Sequence, residues 1–223
     1  MLTSKMLIVL SVSFLLLLNF VSTEDQSIQE KLNAGKTPHE LLNEGVSKDS
    51  LYGKIYQGGH IFYLFKKDSG MVMGPEYLHY PYDTLKKIII WSCRGRLVGA
   101  KERKIGSGRR NTIKIRDAEC TLYDAEQKEW MASAAEVCLE YKGAGYMDWF
   151  LPSRDELQQA WLNLAKTDLV QFNKKMIWSS TEKDEDFAWI QYFNQGPRDF
   201  DLGGHSYYKK YFKYNVRPVR VFK

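Results

Sequence analysis

The chain has 223 residues, 44% of them hydrophobic, 26% charged and 14% aromatic, and its 32 lysines and arginines against 27 acids give a formal net charge of +5. That length suits one domain with an ample core, and so small a net charge selects no partner. Only the N-terminus carries an extended apolar run, which excludes a protein that crosses a membrane many times.

Met1 to Lys5 make a short positive start, and Met6 to Val21 run apolar apart from Ser11, Ser13 and Asn19, the pattern of a secretory signal. The run is shorter than the roughly 20 apolar residues that span a bilayer and ends at Ser22-Thr23, ahead of the charged Glu24-Asp25. Residues 1–23 are therefore expected to be a cleaved signal; the alternative is a retained membrane anchor. Residues 24–49 read as a helical arm. Ser27 to Ala34 places Ile28 and Leu32 on one face, and Thr37-Pro38 is a cap followed by proline at the first helical position of a stretch reaching Asn43. Gly35 and Gly45 close the two. Helices this short do not persist alone, so the arm is expected to pack on the domain or on a neighbouring subunit.

Residues 50–223 are expected to form one α+β domain. Tyr56 to Phe65 is β-rich, and Lys67-Asp68-Ser69-Gly70 turns it back into a second strand at Met71 to Met73. Residues 75–87 read as loop and 88–92 as a strand. From Arg94 to Arg116 the chain carries nine lysines or arginines and one acid, Glu102; with Gly95, Gly99, Gly106 and Gly108 it reads as a long irregular excursion, and long loops are where binding concentrates. Two main helices follow. Over 130–142 the face is Met131, Ala134, Ala135, Cys138 and Tyr141; over 154–165 it is Leu157, Ala160, Trp161 and Leu164, with Ser153 and Glu156 as the capping box. Antiparallel strands are expected at Met176 to Ser180, Ala188 to Phe193 and Tyr214 to Phe222, with turns at Glu182 to Asp186 and around Gly196-Pro197.

Cys93, Cys120 and Cys138 allow at most one internal disulfide in an exported chain. Spacing does not choose the pair; Cys120 with Cys138 closes the shortest loop and is the pairing expected, the alternative being three buried thiols. No CxxC or Cys/His cluster occurs, so neither a metal nor another cofactor is expected. His39, His60, His79 and His205 belong to no nucleophile motif, and no GxSxG is present, so no catalytic residue is expected. Glu182, Asp184, Glu185 and Asp186 lack the spacing of a calcium loop and read as a hairpin tip. Gly106-Ser107-Gly108 is too short for a phosphate cradle. The basic excursion is the strongest pointer to a ligand: Arg103, Lys104, Arg109 and Arg110 suit the oxyanions of an acidic polysaccharide, with a solvated charged loop as the alternative. Export disfavours nucleic acid.

Five segments occur in order: Leu51 to Gly59, Gly145 to Leu157, Trp178 to Glu182, Ala188-Trp189 and Val216 to Arg220. Together they resemble the family named for the C-terminal domain of the Legionella collagen-like adhesin, a domain of unknown function in exported bacterial proteins. The resemblance covers most of residues 50–222. It implies a compact fold distantly similar to C-type lectins and no enzymatic activity, and in the adhesin that names the family the domain is associated with sulfated-glycan binding and attachment. The shared residues also have a structural reading. Pro152 and Ser153 start a helix that Glu156 caps, Trp149, Trp178 and Trp189 are core aromatics, and Arg217 and Arg220 pair with Asp148 or Glu182. The expected function is a non-enzymatic exported binding or adhesion domain for acidic glycans or envelope polymers, with Tyr207, Tyr208 and Tyr211 as exposed rings. The alternative is an assembly module of the envelope that binds protein through its arm, with oligomers possible and the membrane a partner only if the signal is retained.

Overall fold

Ser27, Thr37 and Ser47 each turn a side-chain oxygen onto the backbone N–H three residues ahead and so start three short helices, α1 (Ile28–Asn33), α2 (Pro38–Asn43) and α3 (Lys48–Leu51). The structure, a computed structural model, describes residues 27–78, 89–120, 122–124, 129–193 and 204–223. Residues 1–23, where a signal is expected, His79, the loop from residue 79 onward and the turn at Gly196-Pro197 lie outside the described residues. Among the described residues no helix is long and apolar enough to cross a membrane.

A turn with positive φ at both Gln57 (45°) and Gly58 (86°) joins β1 (Ile55–Tyr56) to β2 (Gly59–Leu64), the backbone twist that a two-residue hairpin needs. β2 pairs with β3 (Gly70–Met73) across the expected turn, while the single strand expected from Tyr56 to Phe65 is broken at Gln57-Gly58. The arm packs on this sheet of its own chain: Leu32, Leu41 and Leu51 join Ile61, Val72, Trp149 and Phe222 in one apolar cluster. The Gln29 amide clasps the Ile55 backbone with bonds of 2.8 and 2.9 Å, so β1 is covered along its outer edge.

β4 (Ile89–Ile90) is short and leads into the basic segment, which differs from the expected irregular excursion. A ten-residue helix, α4 (Gly108–Asp117), occupies its second half. Its buried face is Gly108, Asn111, Thr112 and Ile115, a helical spacing built mostly from small and polar residues, which hydrophobic periodicity does not register. Behind it come the hairpin β5 (Leu122–Asp124) and β6 (Glu129–Met131) and then α5 (Ala134–Glu140). α6 (Arg154–Ala160) starts at Ser153, whose hydroxyl accepts Glu156 N–H while Glu156 accepts Ser153 N–H, and it runs into a π-turn over Trp161–Ala165.

β7 (Met176–Glu182), β8 (Phe187–Tyr192) and β9 (His205–Lys209) make a three-stranded antiparallel sheet. The strand expected over Tyr214 to Phe222 is two: β10 (Lys213–Tyr214) pairs with β4, and β11 (Val219–Phe222) with β3. Pro218 between them has no N–H for a ladder, and the chain crosses there from one sheet to the other. The result is 29% helix and 26% strand with antiparallel sheets, the α+β class expected.

The disulfide joins Cys93 to Cys120, with Cα atoms 5.1 Å apart, and not Cys120 to Cys138. Cys138 is on the inward face of α5, buried with Trp91, Ala134, Ala135 and Trp178, where burial pushes its thiol pKa well up. The shortest loop is not chosen because the helix aims Cys138 at the core.

Candidate functional site

In the β8–β9 pair Trp189 lies opposite Tyr207 and Gln191 opposite His205. Alternation therefore sets Trp189, Tyr207 and His205 on one face, while Ala188, Ile190 and Tyr208 turn to the core on the other. Tyr207 meets the Trp189 ring edge-on at 5.5 Å. Two guanidiniums cover that indole, Arg154 at 4.7 Å and Arg103 at 5.1 Å from its centre. The Lys183 ammonium, from the β7–β8 turn, stands 3.1 Å from the centre of Tyr207.

Backbone bonds hold the two arginines in place. Arg154 opens α6, and its N–H donates to Thr181 Oγ1 (3.0 Å), whose hydroxyl donates to Glu102 O (3.0 Å). Arg103 O accepts Asp155 N–H at 2.9 Å, and Lys104 O accepts the Ser153 hydroxyl at 3.1 Å. Residues 102–104 are thus a strap fastened across the start of α6, and Arg103 reaches the indole beside Arg154.

The cluster is rich in donors, and the buried Gln191 amide stands opposite His205 on the same face. Arg154 Nε, Trp189 Nε1 and His205 Nδ1 are buried and meet no hydrogen-bond partner. Among the described residues no carboxylate forms an ion pair with Arg103 or Arg154. Burial lowers the Arg154 pKa, the Arg103 charge lowers it further, and Asp155 opposes them. Burial, then the Arg154 charge and to a lesser degree Arg103, push His205 down to about 4 against a backbone bond to Ile190 that raises it, so its imidazole is neutral at pH 7. Each buried unmet donor costs on the order of 1–3 kcal/mol, and an oxyanion satisfies several at once while separating two like charges.

Of the four basic residues expected to bind, only Arg103 is in this cluster. Lys104 is exposed on the strap and Arg109 on the first turn of α4. Arg110 pairs with Glu102 at 2.9 Å. The motif residues divide differently from the expectation. Trp149 and Trp178 are buried and donate to Gly143 O (3.3 Å) and Ile89 O (2.9 Å). Trp189 is only half-buried and has no bond to its indole N–H, so it is not a core aromatic like them. Pro152 O accepts Ser180 N–H at 2.7 Å. Arg220 forks onto Asp148 at 2.7 and 3.2 Å and stacks on Tyr146 at 3.8 Å. Among the described residues Arg217 meets no carboxylate; it is buried over Phe172 and donates to Gly74 O (2.6 Å) and Pro75 O (2.9 Å). Glu182 pairs instead with Lys210 at 2.7 Å, both side chains fully buried, and also accepts Val98 and Gly99 N–H. Of the exposed tyrosines expected, Tyr207 and Tyr211 are exposed and Tyr208 is packed on the core.

Sequence reasoning did not assign Arg154 or His205 to a site. The period-two spacing of Trp189 against a following strand is the signal that finds His205 and Tyr207, and it needs the β8–β9 register. No family model matches the chain, and no curated protein matches it.

Proposed function

We propose that the protein is an exported, non-enzymatic binding domain that holds acidic glycans or envelope polymers at the cluster of Arg103, Arg154, Trp189 and His205. One observation carries the reading: two guanidiniums converge on a single indole where, among the described residues, three buried nitrogens are unmet and no carboxylate pairs with either arginine. The aromatic faces of Trp189 and Tyr207 beside them suit an anionic sugar ring, which offers both an apolar face and charge. The N-terminal pattern supports export, and the Cys93–Cys120 bond is compatible with an oxidising compartment. The five ordered segments support membership of the adhesin-domain family and its distantly C-type-lectin-like fold.

Retention on immobilised heparin over a salt gradient tests it. Arg154→Gln and Arg103→Gln are expected to weaken binding roughly tenfold to a hundredfold each, the loss of one charge-assisted bond. Arg109→Gln, exposed on α4, leaves retention within about twofold, because a distant solvated charge is screened by salt. Equal losses in all three variants move the site to the whole basic surface, and no retention of the wild type at low salt removes the ligand class.

A further inference from the structure

We infer that this site takes up its oxyanion together with a proton, the anion lying between Arg103 and Arg154 and the proton going to His205. The inference rests on the reading of the cluster as an anion receptor. His205 shares a face with Trp189 and Tyr207, and the charges acting on it are Arg154 from α6 and Arg103 from the strap. Lys183 lies over Tyr207, two residues along β9, and Lys209 follows at the strand end. Asp155 is the acid acting on the arginine pair, and it acts on Arg154.

Burial and the Arg154 and Arg103 charges keep the His205 imidazole neutral in the free protein against a backbone bond to Ile190 that favours the cation, and among the described residues its buried Nδ1 has no partner. A sulfate or carboxylate placed between the guanidiniums changes both conditions. It cancels the repulsion that opposes a third positive charge, and it supplies an acceptor for an imidazolium N–H. The bound state therefore favours the protonated ring more than the free state does, and by linkage affinity rises as pH falls. Free His205 titrates near 4 and an unperturbed imidazole near 6.5, so the coupling belongs to the range below neutrality. The proton comes from buffer and no covalent bond changes. The ligand class is an acidic saccharide carrying sulfate or carboxylate. A sulfate ester does not titrate in this range, which makes it the cleaner probe.

Calorimetry at about pH 5.5 with a heparin-derived hexasaccharide, in two buffers of different ionisation heat, measures the protons taken up. A parallel series with a carboxylate-only oligogalacturonate separates the two oxyanions. The wild type is expected to take up a substantial fraction of one proton per sulfated ligand and to bind more tightly at about pH 5.5 than at 7.5, by up to about tenfold per pH unit. His205→Gln, which cannot become cationic, shows no uptake and binds with pH-independent affinity over the same range. Binding by the wild type without proton uptake, or uptake that persists in His205→Gln, overturns this inference and leaves the receptor standing. Failure of both saccharides to bind at low salt overturns the two together. Uptake is read on the wild-type chain, so the inference stays exposed to refutation even if the variant folds poorly.

Discussion

The carboxylate of Glu156 accepts N–H groups from Gly106 (2.8 Å), Gly108 (3.2 Å) and Ser153 (2.6 Å), so one side chain closes the N-termini of α4 and α6. Burial nonetheless outweighs those donors and raises its pKa from 4.5 to about 7. Over that range the folded chain keeps a proton that the unfolded chain has released. The stability due to this group is thus complete below about pH 4.5 and declines as pH rises through 7. Urea unfolding is expected to show a loss of about 3 kcal/mol between about pH 4.5 and 8, and Glu156→Gln removes that dependence. The same variant is less stable near pH 5 by about 1–3 kcal/mol, because an amide NH₂ then faces an N–H donor. The capping box of Ser153 and Glu156 is legible in the sequence, since its partners are three residues apart. Its second task is not, because Gly106 and Gly108 belong to a segment nearly fifty residues earlier.

At the scale of elements, α4 and the strap show how a basic segment becomes ordered without an apolar stripe. Thr112 Oγ1 donates to Gly108 O (2.7 Å) and accepts Leu151 N–H (3.1 Å), and Asn111 Nδ2 donates to Glu102 O (2.6 Å). Polar residues thereby dock the helix, and Arg109 and Arg110 face solvent on a first turn whose dipole disfavours them. The disulfide closes the same segment at Cys93 and Cys120, 27 residues apart. Replacing both cysteines by serine is expected to lower stability by about 3–4 kcal/mol, the loop-closure value for that length. Thermal unfolding measures the loss. Heparin retention is expected to weaken in the same variant at a temperature where it remains folded, because Arg103 rides on the segment so closed. Retention equal to the wild type there argues that the bonds to Ser153, Thr181 and Asp155 position Arg103 without the disulfide.

At the scale of the whole molecule, the N-terminal helices are part of the fold. Leu41 and Leu51 are fully buried against the first sheet, and Gln29 covers the edge of β1. Leu41→Ala is expected to cost about 2–5 kcal/mol in denaturant unfolding, the range for a large-to-small change in a packed core. A value near zero marks the arm as loosely attached.

The helices at Ser27, Thr37 and Ser153, the turn at Lys67 to Gly70 and the β7 and β8 strands were all readable from the chain, because caps, turns and alternation act between residues a few positions apart, whereas the turn at Gln57-Gly58 was read as part of one strand. Only the tertiary structure decided that Cys93 and not Cys138 is the partner of Cys120, that Pro218 divides the last strand between two sheets, and that Trp189 differs from the buried tryptophans. It also decided the candidate site. Arg103, Arg154, Trp189 and His205 come from a strap, a helix end and two strands; the sequence singled out Arg103 as a ligand residue and Trp189 as a core aromatic, and nothing in it joined them to Arg154 or His205. Their chemistry arises from convergence: the two charges repel because the fold brings both guanidiniums to about 5 Å from one indole, on the face that also carries His205.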